Sequence, residues 1–121
     1  MAAPNLVSPT TIYGKSVGIA LTTSSVDLLT NTAASGKVLK INSIYVSNTD
    51  GTNNGEVTLT WTDASPAGTF NLASTIAVPA DATLVVVDKD AYIYLEEGDK
   101  ISGLRSAAAT LQITISYEEI S

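Results

Sequence analysis

The chain has 121 residues, of which 45% are hydrophobic and only 15% charged, with a formal net charge of −6 and neither histidine nor cysteine. That length fits one domain with one ordinary core, since most domains run to about 100–150 residues. The missing His and Cys remove the commonest general base, the commonest activated nucleophile and the commonest metal ligands, and an acidic balance with scattered Lys and Arg disfavours nucleic acid.

The chain opens on what reads as an extended arm over residues 1–16. Pro4 and Pro9 interrupt any ladder, and Leu6, Val7 and Ile12 are irregularly spaced, so these three are candidates for contact with a neighbouring subunit. Residues 17–121 then read as one β domain. Val17, Ile19 and Leu21 alternate as a strand, and residues 26–29 form a short second one. A turn over 31–36 leads into 37–47. There Leu39 and Ile41 share one face but Ile44 and Val46 share the other, a slip in phase that a β-bulge at Asn42 and Ser43, or burial on both sides, would explain.

After a polar loop, residues 56–62 give the cleanest alternation, with Val57, Leu59 and Trp61 pointing in and Thr58, Thr60 and Thr62 pointing out. A turn containing Ser65 and Pro66 precedes a strand over 70–78, which Pro79 ends. Residues 83–87 are continuously apolar and predict a central strand covered on both faces. Residues 91–95 alternate again, placing Ile93 and Leu95 inward and Tyr92 and Tyr94 on the opposite face. Residues 107–110 hint at helix, too briefly to hold one alone. Leu111, Ile113, Ile115 and Tyr117 close the chain as an inward row. The fold class is therefore all-β: a single antiparallel β-sandwich or jelly-roll-like domain of about eight strands, with turn signals every 8–12 residues or so.

The motifs that could carry chemistry are weak. Asp50 to Gly55 has oxygen donors and a glycine at the sixth place, as in a calcium loop, but the twelfth place is Trp61 rather than a bidentate Glu. Asp88, Asp90, Glu96, Glu97 and Asp99 cluster in sequence, yet all fall in predicted turns, where water keeps carboxylates ordinary. No phosphate loop and no nucleophile elbow is present. We expect no catalytic residues, no cofactor and no metal. Tyr92 and Tyr94 are instead candidate interface residues, because an exposed tyrosine offers large contact area for little entropy. Trp61 is the other candidate aromatic, as a sugar platform, but its phase with Val57 and Leu59 places it in the core. No apolar run approaches the roughly 20 residues that span a bilayer, and the N-terminus lacks a signal-peptide pattern, so no membrane association is expected.

From about residue 37 onward the sequence resembles small virion structural proteins of tailed bacteriophages, those that decorate or cement capsids. The resemblance is carried by Lys40-Ile-Asn-Ser-Ile-Tyr-Val-Ser-Asn48, by residues 73–87, by Ile93-Tyr-Leu-Glu-Glu-Gly-Asp99 and by Ile115-Ser-Tyr-Glu-Glu-Ile120. It implies a non-enzymatic homo-oligomer, with a trimer favoured, on the capsid exterior, bound to the major capsid protein and assembled in the host cytoplasm. Head-fibre, neck and tail-associated modules share similar small β domains and are the alternative the resemblance leaves open, including a receptor- or glycan-binding role.

Overall fold

The computed structural model describes residues 4–64 and 66–121. Met1 to Ala3 of the expected arm, and Ser65 of the expected turn, lie outside the described residues.

Among the described residues, alternating side chains produce nine strands: β1 (Ile12–Ala20), β2 (Val26–Thr30), β3 (Val38–Asn48), β4 (Gly55–Ala64), β5 (Ala67–Val78), β6 (Thr83–Val87), β7 (Ile93–Leu95), β8 (Lys100–Arg105) and β9 (Leu111–Ile120). They form two antiparallel sheets, one in the order β1-β9-β3-β6 with β7 also on β3, the other in the order β2-β8-β4-β5. β6 pairs with the second half of β3 and β7 with its first half, separated by a single 3₁₀ turn over Lys89–Ala91. Counted as one broken strand, they complete an eight-strand jelly roll with two interlocked Greek keys. The expected fold class is the observed one.

The core lies between the sheets. Ile41, Ile44, Val46, Ile113 and Ile115 come from the first sheet, and Val57, Leu59 and Ile101 from the second, all with 0–1% of their surface exposed. The register of β3 on β9 shifts between Ile41 and Ser43. That bulge explains the phase slip: the extra residue, Asn42, lets both Ile41 and Ile44 face inward. Within the second sheet, Gly103 on β8 lies opposite Leu59 on β4, and a Cβ there would stand 2.5 Å from Leu59 Cδ2, so the glycine leaves the space that the Leu59 side chain fills.

Three expectations need correction. The arm ends at Thr11 rather than at residue 16. Thr11 and Ser121 exchange both backbone hydrogen bonds at 2.9 Å, and β1 then pairs with β9 along its whole length. Gly14, Ser16 and Gly18 on its outward face hid that strand's alternation. β6 is an edge strand, not a central one: β3 lies on its one paired side, and Val85 is 57% exposed. A two-layer sandwich covers one face of each strand, so a continuous apolar run must leave half its side chains outside. Residues 107–110, too few to hold a helix, form a turn as expected, in which Ala109 is buried and its carbonyl accepts from Arg105 Nη1. The strand expected over 91–95 is confined to Ile93–Leu95, because Asp88 caps the 3₁₀ turn by accepting from the backbone N–H groups of Asp90 and Ala91.

Two ion pairs sharing Glu119 tie β9 to β1 and to the start of β3. Glu119 on β9 meets Lys15 on β1 and Lys37, just ahead of β3, each at 3.3 Å. Burial pushes this carboxyl up, but hydrogen bonds from Lys37 and Lys15 and their charges outweigh it and hold it below its ordinary value. A depressed folded pKa adds stability above the unfolded value, and that stability is lost as pH falls through the folded one. Glu119→Gln is therefore expected to cost about 0.5–1 kcal/mol near neutral pH, both lysines being partly exposed. The gap to the parent should begin to close below about pH 4.3, the ordinary Glu value. Urea titrations at pH 7 and in acid check this; a gap that widens on acidification would contradict it.

Candidate functional site

Three carboxylates, Asp50, Asp88 and Asp99, and the two buried amides hold turns and loops. Asp50 Oδ1 accepts from the N–H groups of Thr52 and Asn53, at 2.8 and 3.0 Å. Hydrogen bonds from the Asn53 and Thr52 backbone hold its carboxyl below the usual range. Its oxygens thus organise the loop that sequence spacing raised as a calcium candidate. Asp99 lies against expectation: it is buried, not solvated, and accepts from Ala64 N and Glu96 N, both at 3.0 Å. Asp27 on β2 takes a hydrogen bond from Lys100 and another from Ser102, and both lower its pKa. Among the described residues, no group of three or more acidic side chains is placed to hold a metal ion.

Two buried asparagines do the same work at opposite ends of β3. Asn31 donates to the carbonyls of Lys37 and Leu95 at 2.9 Å and accepts from Ser35 Oγ at 2.6 Å. Asn48 donates to the carbonyls of Asn53 and Val78 at 2.9 Å and accepts from Asp50 N at 2.8 Å. With every amide hydrogen spoken for, neither asparagine is free to act on a ligand.

What the surface offers instead is a cluster of apolar and aromatic groups at one end of the first sheet's outer face. Pairing sets its rows. Ile12 lies opposite Ile120, which lies opposite Val38; the next row is Gly14, Glu118, Lys40 and Tyr94. Val38 and Ile120 are buried on this face, outside the main core, near the N-terminal arm, whose Thr10 and Thr11 bond to Ser121. Pro4, Leu6, Val38, Tyr94, Glu96 and Glu97 line a cleft of about 520 Å³. Tyr92 and Tyr94 meet edge to face, with ring centroids 5.5 Å apart, and Lys40 Nζ sits 4.6 Å above the Tyr92 ring.

The structure therefore places the five candidate interface residues as follows. Leu6 and Tyr94 line the same cleft, and Tyr92 packs on Tyr94 while staying 48% exposed. Val7, next to Leu6, is 91% exposed, and Ile12 is exposed at the start of β1. Sequence reasoning missed Tyr13, Tyr45, Phe70, Ile76 and Val85, which are also exposed. Tyr45 and Val85 face each other across β3 and β6. Two apolar neighbours in a row on β6 were the available signal, because only one of them can point inward. Trp61 is half-buried against the core, as its phase predicts, and opposite it on β5 the exposed Phe70 is tilted by 33° at 5.6 Å.

No protein-family model matches the chain, and no curated protein matches it. Among solved structures, the chain is similar to a protein from Bacillus endospore appendages, described as a novel family of disulfide-linked pili. The identity is 17%, the match covers 100% of this chain and 97% of that one, and the TM-score is 0.49. A likeness of that degree carries no argument about function.

Proposed function

We propose that this protein is a non-enzymatic structural part of a tailed-phage virion, a decoration or cement protein that binds the major capsid protein on the capsid exterior as a homo-oligomer, a trimer being the expected form. The observation that carries this reading is the gathering of Leu6, Val7, Ile12, Tyr92 and Tyr94 at one end of one sheet face, beside a cleft bordered by the N-terminal arm. Such a cluster on a rigid, weakly charged jelly roll offers area that is cheap to desolvate, and symmetric repetition on a particle multiplies weak contacts. The resemblance of residues 37–120 to capsid decoration proteins points the same way. Asp50, Asp88 and Asp99 each hold a turn or loop through backbone N–H groups, which supports a structural reading of these carboxylates.

The test is occupancy on particles that lack the protein. Tyr92→Ala combined with Tyr94→Ala should fold with a near-parental melting curve and lose about tenfold or more in affinity for the particle, the loss of two aromatic anchors. Removing residues 2–9 spares the bonds of Thr10 and Thr11 to Ser121 and should lower occupancy as well. Unchanged occupancy in both variants would overturn the proposal. One observation favours a second reading, a glycan- or receptor-binding module of a head fibre, neck or tail: the exposed Phe70 beside Trp61. Glycan binding abolished by Phe70→Ala would establish that alternative.

A further inference from the structure

The sandwich has four edges among the described strands, β1, β2, β5 and the broken β6/β7 line. Free edges invite pairing with other chains, and proteins usually protect them with bulges, shortness or charge. Three of the four are protected here. β2 spans five residues and shifts register between Asp27 and Leu29. β5 shifts twice against β4, and Thr75 adopts a positive φ of 47°. β6 is also five residues long and is cut from β7 by the 3₁₀ turn.

β1 has none of these devices. It runs nine residues in unbroken register with β9, contains no proline, and carries one charged side chain, Lys15, which is paired with Glu119 at 3.3 Å. The direction of its backbone groups follows from the flanking bonds. Thr11 exchanges both bonds with Ser121, and Leu21 N donates to Leu111 O. In an antiparallel ladder the bonded residues alternate, so the odd-numbered residues of β1 face β9. The N–H and C=O groups of Ile12, Gly14, Ser16, Gly18 and Ala20 therefore point away from the sheet, where no described strand meets them.

We infer that β1 is a self-pairing edge, and that two copies of this chain join antiparallel along Ile12–Ala20 about a twofold axis at Ser16. The occupant is a second copy because the strand is complementary to itself. Centred on Ser16, the pairing sets Gly14 opposite Gly18, Ile12 opposite Ala20, Tyr13 opposite Ile19 and Lys15 opposite Val17. Every outward backbone group then finds a partner in register, no charge lies directly opposite a like charge, and the exposed Tyr13 gains an aliphatic neighbour. For a chain of net charge −6, this nearly neutral edge is also a place where two copies approach without carboxylates meeting. The inference rests on the reading of the protein as a building part and names one of its contacts. An isologous contact is twofold, so it joins oligomers rather than closing a trimer.

The absence of cysteine makes the test clean. In Ser16→Cys the two introduced thiols would sit with Cβ atoms about 5 Å apart, within reach of a short bis-maleimide, each thiolate adding to one maleimide. A covalent dimer is expected from this variant and not from Ala77→Cys, whose site is exposed on β5. Ser16→Pro removes only an outward N–H, so sedimentation should show self-association weakened about tenfold or more with the melting curve nearly unchanged. Cross-linking of Ser16→Cys no better than of Ala77→Cys, or a parental association constant in Ser16→Pro, would overturn the pairing. Parent protein that self-associates but never binds particles would sink the decoration reading alone. Parent protein that coats particles and sediments as a trimer with no further association would sink the pairing alone.

Discussion

Ile115→Ala is expected to lower the stability of this protein by about 3–4 kcal/mol, within the range for large-to-small changes in a core. Ile115 lies at the middle of β9, fully buried, with Val17 of β1 on one side and Ile44 of β3 on the other. Two terms add: the transfer free energy of the lost carbons, and the cavity left because neighbours paired on both sides cannot collapse into the gap. For a domain of this size that loss corresponds to a fall in melting temperature of about 10–15 °C. Thr114, its neighbour in sequence, points to the outer face, and Thr114→Ala should stay within about 0.5 kcal/mol of the parent. Thermal and urea unfolding of the pair of variants measures the contrast. A loss below about 1 kcal/mol for Ile115→Ala would mean that the two sheets pack less closely around this side chain than its full burial implies.

Asn48→Ala is expected to cost about 3 kcal/mol, nearly as much, although it deletes little apolar volume. Only 3% of Asn48 is exposed, and its side chain joins three backbone groups from three places: Asp50 N, Asn53 O and Val78 O. Alanine leaves these without their partner in a place where water enters poorly, and a buried polar group left unpaired costs about 1–3 kcal/mol. Asn48→Asp should be no better, since a carboxylate cannot donate to the carbonyls of Asn53 and Val78. Because Asn48 pins the loop between β3 and β4 to the end of β5, amide exchange in residues 49–54 should speed up more than in β9. Uniform acceleration over the whole chain would point instead to a purely global loss.

Both expected results separate what local pattern carries from what assembly adds. The row of Leu111, Ile113, Ile115 and Tyr117, and that of Val57, Leu59 and Trp61, were legible because strict alternation has one physical meaning, a strand with one dry face. The bulge at Asn42 was legible for the same reason: a break in period needs an extra residue. The inward placing of Ile93 and Leu95, with Tyr92 and Tyr94 opposite, came from the same rule.

Other features depend on which strand lies next to which, and no local pattern records that. β6 and a strand buried on both faces share the same run of valines, and only the sheet order makes Val85 an outside residue. Asp99 has the composition of a solvated turn, yet the N–H of Ala64, distant in sequence, draws it inside. Leu6 and Tyr94 are far apart in the chain and share a cleft because β7 and the last residues of β9 both flank β3. The sequence by itself determined the all-β class, the inward rows and the lack of His- or Cys-based chemistry, since period and composition act residue by residue. The tertiary structure alone decided where the edges fall, which polar groups are buried and which apolar groups gather at one end, since hydrogen-bond partners and burial belong to pairs of segments brought together by folding.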